Sequence, residues 1–211
     1  IQCPSLGIDV DVFDENGNST KVGENGELVI KKPFPSMPVM FWNDKSEDKI
    51  LKAYFKKYKN IWHHGDYIQK TKNGGYIIYG RSDSTLKPGG VRIGTSEIYR
   101  QVESFDEILE SIVVGQNYQD DIRIILFIKL ASGCIFSKEL EDKIKKKIRT
   151  NCSPRHIPSK IIVCPDIPRT KSNKIVEVAV RKIINGDKID NFEALANPES
   201  LEFFKKLKID N

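Results

Sequence analysis

Three short stretches of this chain combine glycine or a polar turn with charged side chains that suit a phosphorylated sugar. The first is Gly65-Asp66, where an aspartate at the start of a predicted strand can accept hydrogen bonds from two neighbouring hydroxyl groups, as a ribose presents them. Farther along, Arg81 can reach the same sugar or its phosphate from an adjacent strand end. Alone, a Gly-Asp pair is more often an ordinary turn, and Arg81 a surface arginine.

The second stretch is the loop at residues 87–92, in which two glycines precede an arginine. Gly89 and Gly90 let the backbone approach a bulky ligand, and N–H groups at the start of the following helix suit a phosphate. Arg92 adds a forked positive charge. The alternative interpretation is a plain Gly-Gly turn between a strand and a helix.

The third stretch is the polar loop at 168–175, which presents Lys174 just before a predicted helix. A lysine there can offer a point charge to a phosphoryl or carboxylate group, although most lysines in so basic a chain are solvated. The basic run at 143–149 is mainly the solvated face of an amphipathic helix, because Ile144 and Ile148 mark its buried side. Arg149, at the C-terminal end of that helix, is the residue of this run that we expect to meet an anion.

The composition describes a chain that can bury a sizeable core. It has 211 residues, of which 39% are hydrophobic and 30% charged, which is comfortable for two domains. No apolar run approaches the about 20 residues that cross a bilayer, so no membrane span is predicted. The net charge of +5 is spread over many lysines and does not by itself indicate nucleic-acid binding.

The four cysteines lack the spacing of a metal site, and we expect no metal ligands among them. They are predicted to be reduced thiols in a cytoplasmic protein. These residues are Cys3, Cys134, Cys152 and Cys164.

The elements that must position the charged stretches change in character near Asp83. Residues 1–82 form short alternating runs with Asn-Gly turns, which indicate hairpins and predict a small β-barrel or β-rich sheet. A helix is predicted at 44–59 from its apolar spacing. Residues 83–188 predict a compact α+β domain, and residues 189–211 a helical tail. Helices of the α+β domain are predicted at 95–104, 138–150 and 175–184.

Together and in this order, the stretches resemble the C-terminal third of the acyl-adenylate-forming enzymes, the family of acyl-CoA synthetases, luciferases and peptide-synthetase adenylation domains. The resemblance runs from end to end, and its long central motif is highly specific. Within the family, the likeness is greatest to the enzymes that activate acetoacetate. The matching runs are GELVI (26–30), Trp62 to Asp66, GRSDSTLKPGGVRIGTSEI (80–98), PRTKSNKI (168–175), SPRHIPSKII (153–162), KIVEVAVRKIINGD (174–187) and ALANPESLEFF (194–204).

The resemblance implies a role for each candidate residue. Asp66 would hold the ribose hydroxyls of ATP, with help from Arg81. Residues 1–82 would be the β-rich end of the large N-terminal adenylating domain, and Asp83 would be the hinge about which the mobile C-terminal domain swings between two working states. Lys174 would contact the α-phosphate and carboxylate oxygens during adenylation.

The same resemblance implies contacts with CoA on the later part of the chain. Gly89 and Gly90 would lie alongside its pantetheine arm, and Arg149 near its nucleotide end. Arg92 belongs with the ATP/AMP-binding residues and would help to settle the second conformation. Asn173 stands where the family usually has glycine, and asparagine tolerates the unusual backbone angles of such a position.

The implied reaction joins a short-chain carboxylate, acetoacetate first among them, to CoA at the expense of ATP, with AMP and diphosphate as products. The family's phosphate loop, carboxylate pocket and expected Mg²⁺ ligands lie upstream of this chain, which begins with Ile1 rather than Met. We therefore expect a piece that needs its own N-terminal domain as partner and does not turn over substrate alone.

Three alternatives remain open at this point. Acetate or propionate is the alternative substrate within the enzyme class. A non-catalytic module that binds a nucleotide or RNA is an alternative from another class, but basic and aromatic residues do not interleave on one face and no RNA-binding motif is present, so no nucleic-acid partner is expected. A purely structural role would make the motif at 80–98 a coincidence.

Overall fold

The structure is a computed structural model that describes residues 1–188 and 195–209. Contacts among Cα atoms divide the chain into two compact units, Ile1–Asp83 and Ser84–Asn211. Within the described residues, no helix has the length and apolar character needed to cross a membrane. All four cysteine thiols are free of disulfide bonds.

The first unit is built on a four-stranded antiparallel sheet in which neighbours in sequence are also neighbours in space. Val12 and Ile68 are fully buried on one face together with Tyr76, because alternate residues of a strand point to the same side. The ladder between the second and third strands is irregular near Glu27. The strands are β1 (Val10–Phe13), β2 (Asn25–Ile30), β3 (Trp62–Lys70) and β4 (Tyr76–Arg81).

The β-rich subdomain is an open sheet, so the barrel alternative is wrong. No ladder joins β1 to β4 in the part of the chain that the structure describes.

The helical segment between β2 and β3 is shorter than the helix predicted at 44–59. It begins as α1 (Asp48–Ile50) and continues as a π-helix at Leu51–Phe55. Glu47 has a φ of 61°, a left-handed conformation that cannot continue into a preceding helical turn. Asp44 instead lies before the helix, and its carboxylate accepts two backbone N–H groups of the first turn.

The second unit packs helices on both faces of a three-stranded sheet, in which β5 pairs antiparallel with β6 and β6 pairs parallel with β7. Neighbouring strand residues point to opposite faces. Val113 therefore packs with α2 and α3, while Ile112 and Val114 pack with α4 and α5. The elements are α2 (Thr95–Val102), β5 (Ile108–Tyr118), β6 (Asp121–Leu130), α3 (Lys138–Asn151), β7 (Lys160–Val163), α4 (Glu177–Ile184) and α5 (Leu201–Lys206).

The predicted α+β class is confirmed by these two sheets and their helices. The three predicted helices of the second unit are present, each with its ends within about two residues of the expected ones. Of the predicted tail at 189–211, residues 189–194 and 210–211 lie outside the described residues. The described part contains a short turn at Pro198–Ser200 followed by α5.

Candidate functional site

Strands β3 and β4 place Asp66 and Arg81 directly opposite each other. Arg81 Nη1 donates to the backbone carbonyl of His64 at 3.2 Å and lies 3.4 Å from Asp66 Oδ1. The other carboxylate oxygen, Oδ2, contacts His64 Nδ1. A carboxylate has about four acceptor positions, so Asp66 retains the capacity to accept further hydroxyl groups.

The surroundings of Asp66 keep its carboxyl group ionised. Partial burial would raise the pKa of Asp66, but the hydrogen bond with His64 and the charge of Arg81 outweigh burial and hold that pKa below its usual value. The site therefore presents a carboxylate at neutral pH. Asp83 Oδ1 lies 3.8 Å from Arg81 Nε, which brings the predicted hinge residue next to the same guanidinium.

Gly65 makes room for this guanidinium beside β3. Its φ is +85°, a conformation that residues with a side chain rarely adopt. A Cβ at this position would lie 2.7 Å from Arg81 Nη2. A larger residue would therefore be strained and would also displace the arginine.

A buried carboxylate fixes the same strand ends from inside the unit. Glu27 is 1% exposed. Its carboxylate accepts a hydrogen bond from Lys57 Nζ at 2.6 Å and another from Ser82 Oγ, and lies 3.0 Å from His63 Nε2. Because His63 belongs to β3 and Ser82 follows β4, this charge holds the ends of both strands together.

The loop with the two glycines in the second unit is a tight turn closed by paired backbone hydrogen bonds between Leu86 and Ile93. Gly89 and Gly90 have φ values of 56° and 74°, so the turn requires residues that tolerate the left-handed region. The Gly89 N–H donates to both carboxylate oxygens of Asp121, at 3.0 and 2.9 Å. The loop is thus fastened to the start of β6.

The two arginines of the second unit that are predicted to meet an anion lie on different elements. Arg92 Nε donates to Thr85 Oγ1 at 3.0 Å across the base of the glycine loop. Arg149 is exposed on α3. With Lys145, Lys146 and Ile157 it lines a shallow cleft of about 250 Å³, which has the charge to attract a phosphate.

Lys174 is exposed at the end of a compact hairpin turn. The Thr170 N–H donates to the Lys174 carbonyl at 2.8 Å, and the Lys174 N–H donates to Thr170 Oγ1 at 3.1 Å. Asn173 has a φ of 63°, which agrees with the tolerance expected of asparagine there. The backbone of the turn is therefore well defined, although the ammonium group is in solvent.

Arg169 supports this turn from the side. Its Nη1 donates to the Asn173 carbonyl at 2.9 Å, and its Nη2 pairs with Glu110 Oε1 at 2.5 Å. Tyr99, on α2, donates to Glu177 Oε1 at 2.5 Å, at the start of the helix that follows the turn. Both ends of the segment that carries Lys174 are thus held by side chains from other elements.

Three site neighbours were missed by the sequence reasoning. His64 could have been found, since residues two apart on a strand share a face and place it beside Asp66. Glu27 and Asp121 gave no local signal, because their partners are distant in the chain. The predicted site residues fall into two groups: Asp66, Arg81 and Asp83 in the first unit, and Gly89, Gly90, Arg92, Arg149 and Lys174 in the second.

Known proteins resemble the chain over nearly all of its length, although no protein-family model matches it. It is 53% identical over 208 residues to an acetoacetyl-coenzyme A synthetase of Rhizobium meliloti (strain 1021), covering 99% of this chain and 32% of that protein. It is 46% identical to the acetoacetyl-CoA synthetase of Xenopus tropicalis, covering 98% of this chain and 31% of that protein.

A solved structure gives the same result. Acetoacetyl-CoA synthetase from Streptomyces lividans superposes with a TM-score of 0.91 at 41% identity, covering 98% of this chain and 31% of that protein. The chain spans about a third of the length of the relatives that it matches. Over nearly its whole length, the chain is therefore similar in sequence and in fold to about a third of an acetoacetyl-CoA synthetase.

Proposed function

We propose that this chain is the C-terminal part of an ATP-dependent acid–thiol ligase that converts acetoacetate, ATP and CoA into acetoacetyl-CoA, AMP and diphosphate. The observation that carries the proposal is the 53% identity to an acetoacetyl-coenzyme A synthetase over 99% of the chain. The geometry supports it, because a carboxylate–arginine pair suited to a ribose and an exposed lysine on an ordered turn are both present.

In the first half-reaction, an acetoacetate oxygen bonds to the α-phosphorus of ATP while the bond to the β-phosphate oxygen breaks and diphosphate leaves. Asp66 accepts the ribose hydroxyls, with Arg81 and Arg92 beside the nucleotide. Negative charge develops on the phosphoryl oxygens, so a preorganised cation lowers the barrier. We assign that cation to Lys174.

In the second half-reaction, the CoA sulfur bonds to the acyl carbon as its thiol proton is lost, and AMP leaves. The lysine must then move away and a path for the thiol must take its place. Rotation about one joint residue, Asp83, replaces the lysine by the thiol path with the smallest change in structure. Gly89 and Gly90 then border the pantetheine arm, and Arg149 attracts the phosphates at the nucleotide end of CoA.

Mg²⁺ is proposed to arrive with ATP and to be held by residues outside this chain. Among residues 1–188 and 195–209, no group of three or more carboxylate, histidine or cysteine side chains is arranged to hold a metal ion. The cytoplasmic location stays a prediction that rests on the unpaired cysteines.

The test uses the chain joined to the upstream part of its own polypeptide. We expect acetoacetate-dependent release of AMP and diphosphate, with acetate and propionate as the comparison substrates. Lys174→Ala should lower adenylation by about 10²–10³-fold and leave thioester formation from preformed acyl-adenylate within about twofold. Lys171→Ala is the matched control, since Lys171 is exposed in the same turn. Absence of AMP with acetoacetate, or equal loss of both half-reactions in Lys174→Ala, contradicts the proposal.

A further inference from the structure

We propose that Asn197 is a positioning residue for adenylation, because it fastens the segment after α4 to the turn that presents Lys174. The expected effect on adenylation rests on the proposed function. The statement that Asn197 holds the turn rests on the structure alone. Asn197 lies outside the residues whose roles follow from the resemblance, and it touches the turn only through its stem.

The Asn197 side chain uses its amide as both donor and acceptor. Its Oδ1 accepts the backbone N–H of Arg169 at 2.8 Å. Its Nδ2 donates to Asp166 Oδ2 at 2.6 Å and to the Ile167 carbonyl at 3.0 Å. Asp166 Oδ1 accepts from Lys129 Nζ at 2.7 Å, so the contacts continue onto β6.

Backbone contacts align the same segment with the turn. The Ala196 N–H donates to the Arg169 carbonyl at 2.8 Å, and Leu195 forms a bridge with Thr170. Residues 195–197 therefore lie along the stem of the hairpin as a third extended segment. We call residues 195–201 the strap.

The strap is held against α4 by its two buried leucines. Leu195 and Leu201 are buried with Ala179 of α4. Ser200 Oγ donates to the Asn197 carbonyl at 2.6 Å, which fixes the backbone from which the amide projects. A rigid support on one side and an exposed turn on the other make Asn197 the link between them.

The direction of Lys174 depends on this link because the tip of its turn is exposed. Residues 171–174 are all exposed, so the stem, rather than burial of the tip, fixes the orientation of the turn. Without the amide, the Arg169 N–H and the Asp166 carboxylate lose partners that the native packing supplies. Misplacing a catalytic group by about 1 Å can cost roughly 10²-fold in rate, and adenylation is the half-reaction that uses Lys174.

The experiment compares the parent protein with four variants, each with the chain joined to its upstream part. Asn197→Ala removes all three side-chain contacts. Asn197→Asp keeps an acceptor for the Arg169 N–H but sets a second carboxylate against Asp166. Adding Asp166→Asn to that variant exchanges the two side chains, so an amide again faces a carboxylate. Glu202→Gln is the control, since this exposed residue pairs with Lys205 on α5.

Two measurements are made on each protein. The first is the rate of the two half-reactions, as acetoacetate-dependent ATP–diphosphate exchange and as thioester formation from preformed acyl-adenylate. The second is amide hydrogen exchange at residues 169–175, with the amides of α3 as the internal reference. The exchange measurement does not depend on catalysis.

We expect Asn197→Ala and Asn197→Asp to lower adenylation about 10-fold or more and to leave thioester formation within about twofold. The double variant should recover part of the rate lost in Asn197→Asp, because the Ile167 carbonyl still lacks its donor, and Glu202→Gln should match the parent protein. Exchange at residues 169–175 should quicken in the two single variants while α3 stays protected.

Unchanged adenylation in Asn197→Ala, equal loss of both half-reactions, or unchanged exchange at residues 169–175 would each overturn the inference. Adenylation in the double variant no faster than in Asn197→Asp would do the same. A parent protein that forms no acyl-adenylate instead refutes the proposed function. The hydrogen-exchange comparison then still decides whether Asn197 holds the turn.

Discussion

Gly65→Ala should destabilise the first unit and weaken nucleotide binding, because the added methyl group both strains the backbone and displaces Arg81. The backbone at position 65 has a φ of +85°, and a residue with a Cβ in the left-handed region costs about 1–2 kcal/mol. The new Cβ would lie 2.7 Å from Arg81 Nη2, so the guanidinium must move. The exposed ion pair with Asp66 adds only about 0.5 kcal/mol, which gives a total of about 2 kcal/mol.

Gly74→Ala is the matched control for this change. Gly74 has a φ of +78°, and no atom lies within 4 Å of a Cβ built there. Its substitution carries the backbone strain without the clash. A second control places Gly65→Ala in an Arg81→Ala background, where the clash has been removed in advance.

Two assays separate the penalties. Urea unfolding followed by tryptophan fluorescence reports on the first unit alone, because the chain has two tryptophans, Trp42 and Trp62, and both precede Ser84. The apparent KM for ATP of the chain joined to its upstream part reports on Arg81. We expect both glycine variants to lose about 1–2 kcal/mol, and only Gly65→Ala to raise KM, by about tenfold, since a charged hydrogen bond contributes about 1.5–3 kcal/mol.

The KM is the decisive measurement because the expected difference in stability between the two variants is small. An equal KM for Gly65→Ala and Gly74→Ala would refute the reasoning. So would an undiminished effect of Gly65→Ala after Arg81 has been truncated, since the clash would then not be the cause.

Two further predictions concern titration in the second unit. Burial would raise the pKa of Glu97, but the neighbouring His156 and the N–H of Gly94 outweigh burial and lower it. The stability that this carboxylate contributes is present above about pH 4.5 and is lost as the pH falls through the lowered pKa. Glu97→Gln should therefore cost about 1 kcal/mol at pH 7 and progressively less as the pH falls below 4.5, in urea unfolding followed by circular dichroism. Burial raises the pKa of Cys164 to about 12, so iodoacetamide at pH 8 should modify the exposed Cys3 and spare Cys164 until the unit unfolds, as mass spectrometry of the labelled chain would show.

Elements with a strong local pattern were predictable from the sequence. For α3, the apolar positions at Leu140, Ile144 and Ile148 mark one helical face, and Ser137 Oγ accepts the Leu140 N–H as a cap. The helix predicted at 44–59 was too long, because the apolar spacing is helical over the whole of that range. The left-handed backbone of Glu47 cannot be inferred from spacing.

The site shows the same division between local pattern and distant contact. Asp66 and Lys174 each lie in a continuous sequence motif, so both could be predicted from the sequence. Asp121 fastens Gly89 across 32 residues of sequence, and Asn197 reaches back to the stem of the Lys174 turn. Such contacts depend on where the fold places separate elements, so they cannot be predicted from composition or periodicity.

Glu27 shows how polar contacts, in addition to apolar packing, position the strand that carries Asp66. Two small apolar clusters lie in the first unit, one with Val12 and Ile68 and the other with Phe13, Val29 and Tyr58. A buried carboxylate is costly unless its donors are well placed. With Lys57, His63 and Ser82 around it, the charge is matched only when β3 and β4 end in register. Separating Glu27 from these partners costs free energy, so their contacts oppose any shift of the two strand ends. Asp66 lies three residues after His63 on the same strand and is held in place by the same contacts.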